Sequence, residues 1–361
     1  MVTSLKIENF RCFENFSIEN LTPITIIGGK NNSGKSALIE AFIVPLSATF
    51  PSVFWDLLNF RNVEINISTP TQLWNPLFYN MGDNEHFSIK IFQDNNKPVK
   101  FSAFKFYNGI VERNGTKKRL FSQESSKSFS ALKVEFDTGL YKGNGTYSLP
   151  NRFSNNSNEI EFKPDSNISK IPLPYGEVTL CRSVTTTKIS VAESVSRMSL
   201  DKPKKDKLIA TMQHFDSDIV DVNMILDNGT PYIYITLNSG KHLPISYMGD
   251  GINKALEILV DILNLPNGIL LIDEVENGFH YSLYESLMEV FCETALSVNC
   301  QMIMTSHNRD FIEATLSAME KLERLNDLSY QRLGFYRGQR KAFLFSGDSL
   351  YSAFESNMEM R

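Results

Sequence analysis

The sequence predicts an α/β fold with an antiparallel β lobe and a helical insertion, and three observations predict it. A strand, a glycine turn and a helix follow one another early in the chain. Fully apolar runs of strand length alternate with helical segments from Gly251 onward. Between them, residues 61–180 break into short β-like runs separated by Asn, Gly, Ser and Pro. Taken in order, "SLKIENFRCF" and "NLTPITIIGG" read as strands, and "NNSGKSALIEAFIVPL" reads as an amphipathic helix with Leu38, Ile39, Phe42 and Ile43 on one side. The runs "EHFSIKIFQD", "KFSAFKFYNG", "LKVEFDTG", "IEFKPD" and "GEVTLC" read as strands of the antiparallel lobe, and the Ser/Asn-rich stretches "FSQESSKSFSA" and "LPNRFSNNSNE" as mobile loops. Residues 188–215 look helical, interrupted at Pro203. "VDVNMILDNGTPYIYITL" reads as a hairpin turning at Asp227, Asn228 and Gly229. Four segments follow: 1–60 and 241–361 as the two parts of one core, 61–180 as the β lobe, and 181–240 as a helical insertion with a hairpin.

Composition excludes several classes of protein. The 361 residues carry a formal net charge of −5, with 42% apolar, 21% charged and 11% aromatic residues, which is the make-up of a globular chain rather than a disordered or collagen-like one. The four cysteines, Cys12, Cys181, Cys292 and Cys300, form no CxxC pair and read as reduced thiols. No apolar run approaches the roughly 18 residues of a membrane span and the start lacks the pattern of a signal peptide, so a cytoplasmic protein with no membrane partner is expected.

"GKNNSGKS", Gly29 to Ser36, fits G-x-x-x-x-G-K-[ST] after an apolar strand and before a helix. Gly29 and Gly34 let the backbone wrap phosphate oxygens, with Asn31, Asn32, Ser33 and Ala37 completing the cradle around the helix N-terminus. Lys35 would reach the β- and γ-phosphates, and the Ser36 hydroxyl would bind Mg²⁺. The plain alternative is a glycine turn with a solvated lysine.

"GILLIDEVENGFHYS" sets four apolar residues before Asp273 and Glu274, the pattern of a buried parallel strand ending at the carboxyl edge of a sheet. Asp273 would hold Mg²⁺ through water and Glu274 could accept a proton from attacking water; by themselves, two acids at a strand end are also a common solvated feature. "MIMTSHNRDFI" ends a second buried strand in Thr305, Ser306 and His307, where a histidine suits contact with the γ-phosphate or the positioning of water. In "LPISYMGDGINKALEILVDIL", Gly249, Asp250 and Gly251 break a strand and open a helix whose apolar face is Ile252, Ala255, Leu256, Leu259 and Leu263.

In order, these segments resemble the Walker A, signature, Walker B with D-loop, and His-switch motifs of ABC ATPases of the RecF/SMC group. They are most similar to the ATPase domain of OLD-family (overcoming lysogenization defect) proteins, and "LKIENFRCFENFSI" is similar to that group's opening strand pair. The resemblance implies a P-loop NTPase fold, the ABC ATPase head, and ATP and Mg²⁺ as ligands. It also implies a homodimer or higher oligomer that sandwiches two ATPs. Carried over, Ser246, Gly249 and Gly251 would contact the γ-phosphate of the partner copy's ATP, Arg11 would lie near the adenine or α-phosphate, and Asn277 would belong to the dimer-facing D-loop. "SYMGDG" is one residue longer than the usual signature spacing, Gln72 and Gln123 are the candidates for a Q-loop glutamine, and the stretch 308–361 is short for a Toprim nuclease domain.

Basic residues concentrate at Lys117, Lys118 and Arg119, in Lys202 to Lys207, and at Arg332, Arg337, Arg340 and Lys341, where they are either solvated surface or a face for DNA. Three functions compete: an ATP-hydrolysing switch in DNA maintenance or phage defence with a separate effector, a nuclease or toxin; a nuclease in its own right; and a non-hydrolysing scaffold assembled by ATP.

Overall fold

The computed structural model describes residues 1–46, 57, 74–81, 85–94, 98–107, 109–113, 116–120, 129–139, 142–148, 161–164, 178–181 and 188–356. Of the stretches expected as loops, residues 121–128 and 149–159 lie outside them, as do the glutamines Gln72 and Gln123; Phe129 to Ala131, the end of the first stretch, instead begin the strand Phe129–Asp137, where Phe129 pairs with Tyr107 and Ala131 with Phe106.

A six-stranded sheet positions the site. Its order is β11 (Val178–Cys181), β15 (Ile269–Ile272), β16 (Gln301–Thr305), β3 (Ile24–Gly29), β17 (Leu328–Tyr336) and β18 (Gln339–Ser346). All neighbours are parallel except the β17–β18 hairpin. Every residue of β15, β16 and β3 is buried, which is why these strands read as unbroken apolar runs: both faces of the sheet are covered.

One face packs against α4 (Asp250–Asn264), α5 (Tyr284–Ser297), α6 (Arg309–Lys321) and α7 (Gly347–Glu355), with α2 (Lys188–Met198) and α3 (Lys202–Met212) beyond α4. Pro203 does not kink a continuous helix but sits in the first turn of α3, where its missing N–H costs nothing, and Asp201 caps that turn by accepting from the Lys204 backbone N–H. The three-stranded sheet β12 (Ile219–Asp227), β13 (Thr230–Leu237) and β14 (His242–Pro244) follows. Its first hairpin turns on Asn228 (φ 50°) and Gly229 (φ 80°), the two left-handed residues of a type I′ turn.

The other face packs against α1 (Lys35–Leu46), and α1 in turn against a seven-stranded antiparallel sheet. That sheet runs β10 (Glu161–Pro164), β9 (Lys142–Ser148), β8 (Phe129–Asp137), β5 (Val99–Tyr107), β4 (His86–Gln93), β1 (Val2–Phe10), β2 (Phe13–Ile18). The separate hairpin β6 (Gly109–Arg113) and β7 (Thr116–Leu120) carries Lys117 to Arg119.

Three expectations are corrected here. Helix α1 is not amphipathic: lying between two sheets, it buries every residue but Ser36. "VTLC" is not a lobe strand but the edge of the parallel sheet, because its backbone pairs with β15 rather than with its sequence neighbours. The opening strand pair and the β lobe are one sheet, joined by the β1–β4 ladder, so residue 60 divides no sheet from another.

Candidate active site

The glycine loop joins β3 to α1 through backbone that favours glycine. Gly29 (φ 137°) and Gly34 (φ 108°) are both left-handed, and a Cβ on Gly34 would stand 2.9 Å from Phe13 Cζ and 3.0 Å from Cys12 Sγ. Asn31 and Asn32 are exposed on the loop, Asn32 with φ 64°, while Ser33 and Ala37 are buried beneath it. The Ser33 Oγ has no hydrogen-bond partner among the described residues. Lys35 arches back over the loop: its Nζ donates to the carbonyls of Gly29 (2.7 Å) and Lys30 (3.2 Å). Burial lowers its pKa, opposed by the nearby carboxylates of Glu276, Asp273 and Glu274.

Those carboxylates stand at the carboxyl ends of β15 and β16. Asp273 is buried, which raises its pKa, and it accepts a hydrogen bond from the Thr305 hydroxyl (2.5 Å); the Thr305 and Ser36 hydroxyls beside it oppose that rise. The same Thr305 hydroxyl accepts from the Glu274 backbone N–H at 2.8 Å, so one side chain of β16 fixes both acids of β15. Glu274 sits in left-handed backbone (φ 49°), which turns its side chain away from Asp273, and its Oε2 accepts from Asn277 Nδ2 at 2.7 Å. His307 is half-exposed, with Nδ1 at 3.0 Å and its backbone N–H at 2.9 Å from Oε1 of buried Glu276. The other oxygen of Glu276 is buried without a hydrogen-bond partner. Thus the structure brings Lys35, Ser36, Asp273, Glu274 and His307 to one edge, as the strand pattern predicts.

Glu276, Thr305 and Lys254 are the residues that motif reasoning missed. Lys254 is a buried lysine on α4 whose Nζ donates to the carbonyls of Val275 (3.2 Å) and Asn277 and lies 5.1 Å from the centre of the Phe279 ring. It ties the signature helix to the segment after Asp273. Three acids within "DEVE" and a lysine inside the buried stripe of α4 were the available signals.

Other predicted residues lie elsewhere. Ser246 is exposed in the short turn Ile245–Tyr247, and Gly249 (φ 91°) precedes α4 with no atom within 4 Å of where its Cβ would be. A Cβ on Gly251 would stand 3.6 Å from the Gly278 carbonyl oxygen and 3.7 Å from Phe279 Cδ1, not beside the glycine loop. Asn277, expected to face a dimer partner, spends its amide on Glu274. Arg11, expected beside the nucleotide, instead turns Nε onto Glu40 Oε2 (2.7 Å) and Nη1 onto the Pro76 carbonyl (2.9 Å). The reason is α1: a helix buried all round carries Glu40 into the interior, and that charge requires a counter-ion. Among the described residues no group of three or more His, Cys, Asp and Glu could hold a metal ion, as a nuclease centre would require.

The family described as "AAA domain, putative AbiEii toxin, Type IV TA system" matches residues 24–313, from β3 into α6. The chain belongs to this family. The chain is similar to the "ATP/GTP phosphatase" of Helicobacter pylori (strain ATCC 700392 / 26695), 25% identical over 375 aligned positions that cover 99% of this chain and 98% of that one. Among solved structures, this AAA-domain chain is similar to an Smc head bound to the C-winged helix domain of ScpA (TM-score 0.54, 11% identity, 98% of this chain and 99% of that chain). It is also similar to the Pyrococcus furiosus Smc head domain with an extended coiled coil bound to the C-terminal domain of ScpA (TM-score 0.53, 10% identity, 99% of each chain). At these identities the likeness shows the fold alone: an α/β head of the Smc kind, with mixed sheets and several helices. Among the described residues no helix is long and apolar enough to cross a membrane.

Proposed function

We propose that this AAA-family head binds and hydrolyses ATP with Mg²⁺, closes as a homodimer around two nucleotides, and so switches a separate effector, a nuclease or toxin, in a DNA-related or phage-defence complex of OLD-like type. The observation that carries the reading is the meeting of Ser36, at the start of α1, with Asp273, at the end of β15, beside a buried lysine that arches over the glycine loop. A hydroxyl and a carboxylate side by side are the two protein groups that would hold Mg²⁺ on a nucleoside triphosphate. The orphaned Ser33 Oγ inside the loop and the tight space at Gly29 and Gly34 fit a phosphate chain wrapped by backbone.

In this reading Lys35 exchanges its loop carbonyls for phosphate oxygens and keeps its charge, which three carboxylates stabilise. Ser36 and Asp273 would hold Mg²⁺, which would neutralise charge that builds on the phosphates. Glu274 accepts the proton of the attacking water, with Asn277 fixing its carboxylate. His307, oriented by Glu276, points its second ring nitrogen at the terminal phosphate. The exposed turn at Ser246 and Gly249 serves the partner copy, since its own loop is not its neighbour. The name of the Helicobacter pylori relative supports hydrolysis, and the Smc heads, which are bound to ScpA, support a protein partner.

Phosphate release by wild type and Glu274→Gln tests the reading. Hydrolysis should fall at least about 100-fold in the variant while ATP binding by calorimetry persists. Wild type that binds ATP yet is as inert as the variant returns the chain to the scaffold function.

A further inference from the structure

The hairpin of β17 and β18 carries features that the phosphate site does not use. Phe335 (60% exposed) and Tyr336 (47% exposed) stand at its tip, with Arg337, Arg340 and Lys341 against them. Arg340 Cζ lies 4.9 Å from the centre of the Phe335 ring, while Arg337 and Lys341 lie 5.3 and 5.1 Å from that of Tyr336. Exposed rings backed by cations form a platform for a flat, electron-rich group.

Its location decides which group. β17 runs parallel to β3 in the register Leu333↔Gly29, and the Leu333 carbonyl stands 2.6 Å from where a Gly29 Cβ would be. Phe335 lies two residues further on the same face as Leu333, about 7 Å past the start of the glycine loop. On that face Arg340, the cross-strand partner of Phe335, donates through Nη1 to the Cys12 carbonyl at 2.8 Å, and the Cys12 thiol borders Gly34. The Phe335 face of the tip is therefore continuous with both ends of the loop. The acids Asp273 and Glu274 follow β15, on the opposite side of β3. A triphosphate whose terminal end faces those acids directs its nucleoside toward β17.

We propose that Phe335, backed by Arg340, is the stacking platform for the purine of the bound nucleotide. This rests on the nucleotide reading of the glycine loop and adds how the base is held. Stacking engages the π-face and not the hydrogen-bonding edge, so adenine and guanine are accepted alike.

Calorimetry on the full chain with Mg²⁺ and ATP, GTP or inorganic tripolyphosphate tests it. Phe335→Ala should weaken ATP and GTP by about ten-fold each, leave tripolyphosphate within about two-fold, and be rescued by Phe335→Trp. Unchanged nucleotide affinity in Phe335→Ala overturns the platform alone, as does an equal loss for tripolyphosphate. So does loss of binding to a labelled single-stranded oligonucleotide with ATP unaffected, which would assign the tip to nucleic acid. Wild type that takes up neither nucleotide nor tripolyphosphate overturns the nucleotide reading, and the platform with it.

Discussion

Two glycine turns of this protein, at Gly34 and at Gly249, differ in what surrounds them. The first is enclosed: Phe13, Cys12 and the arching Lys35 fill the space around it, and it leads into a helix buried on all sides. The second is open: no atom of the described residues lies within 4 Å of where a Gly249 Cβ would be, Tyr247 is 80% exposed, and no side chain of the described residues caps α4. Asn253 braces this turn from below by donating to the carbonyls of Ile245 (3.2 Å) and Gly249 (2.9 Å), so it is built, yet uncovered. Under the proposed function the first turn is the half of the site complete within one chain and the second the half offered to a partner copy, an asymmetry that a site assembled from two copies requires.

The largest expected effect breaks this comparison at its enclosed end. Gly34→Ala forces a side chain into left-handed backbone and against Phe13, so nucleotide affinity should fall more than about 100-fold and stability by about 3 kcal/mol, read by calorimetry and urea melts. Gly249→Ala meets no atom. It should keep nucleotide binding, cost only about 1 kcal/mol of backbone strain, and abolish ATP-dependent self-association in sedimentation. If Gly249→Ala associates like wild type, the exposed turn is not half of a shared site.

A middle-sized effect concerns the acid that motif reasoning overlooked. Glu276→Ala should lower kcat about ten-fold with KM little changed, because His307 loses its anchor but the cradle does not. Glu276→Gln, which keeps an oxygen for His307 Nδ1, should recover most of the rate. Combining Glu276→Ala with His307→Ala should add almost nothing to His307→Ala alone.

The smallest effect lies inside α4, the helix that carries the bare turn. Asp261 is largely buried there, its Oδ2 has no hydrogen-bond partner, and burial with nearby Glu257 pushes its pKa from the ordinary 3.8 up to about 7. Between those values the folded chain holds a proton that the unfolded chain has released. Stability therefore falls as pH rises through that window, and above it the penalty is complete. Asp261→Asn should accordingly stabilise the protein by about 2 kcal/mol at pH 8, with the gain fading toward pH 4. A gain independent of pH would mean that Asp261 is not the source.

Local chemistry made much of the site legible. Gly29, Gly34, Lys35 and Ser36 are recognisable because a phosphate loop needs those residue types at that spacing, and Asp273 and His307 because a buried parallel strand must end where polar residues begin. The type I′ turn at Asn228 and Gly229 was readable for the same reason, since few residues tolerate its backbone. The ion pair of Arg11 was not legible because its neighbours in the chain say nothing of Glu40, which the packing of α1 brings to it. Strand β11 was assigned to the wrong sheet because a run as short as Val-Thr-Leu-Cys pairs equally well with either, and only the partner decides.

Residue order alone thus specifies which backbone can turn tightly, which strands are buried on both faces, and which side chains stand at strand ends, since all three follow from contacts within a few residues. The folded chain settled the rest: Thr305 bridging two acids across neighbouring strands, Glu276 holding His307, Lys254 pinning α4, and the β17–β18 tip beside the loop. Each of those joins residues distant in sequence, and the pairing of distant strands is settled by the burial of whole faces, which no local pattern encodes.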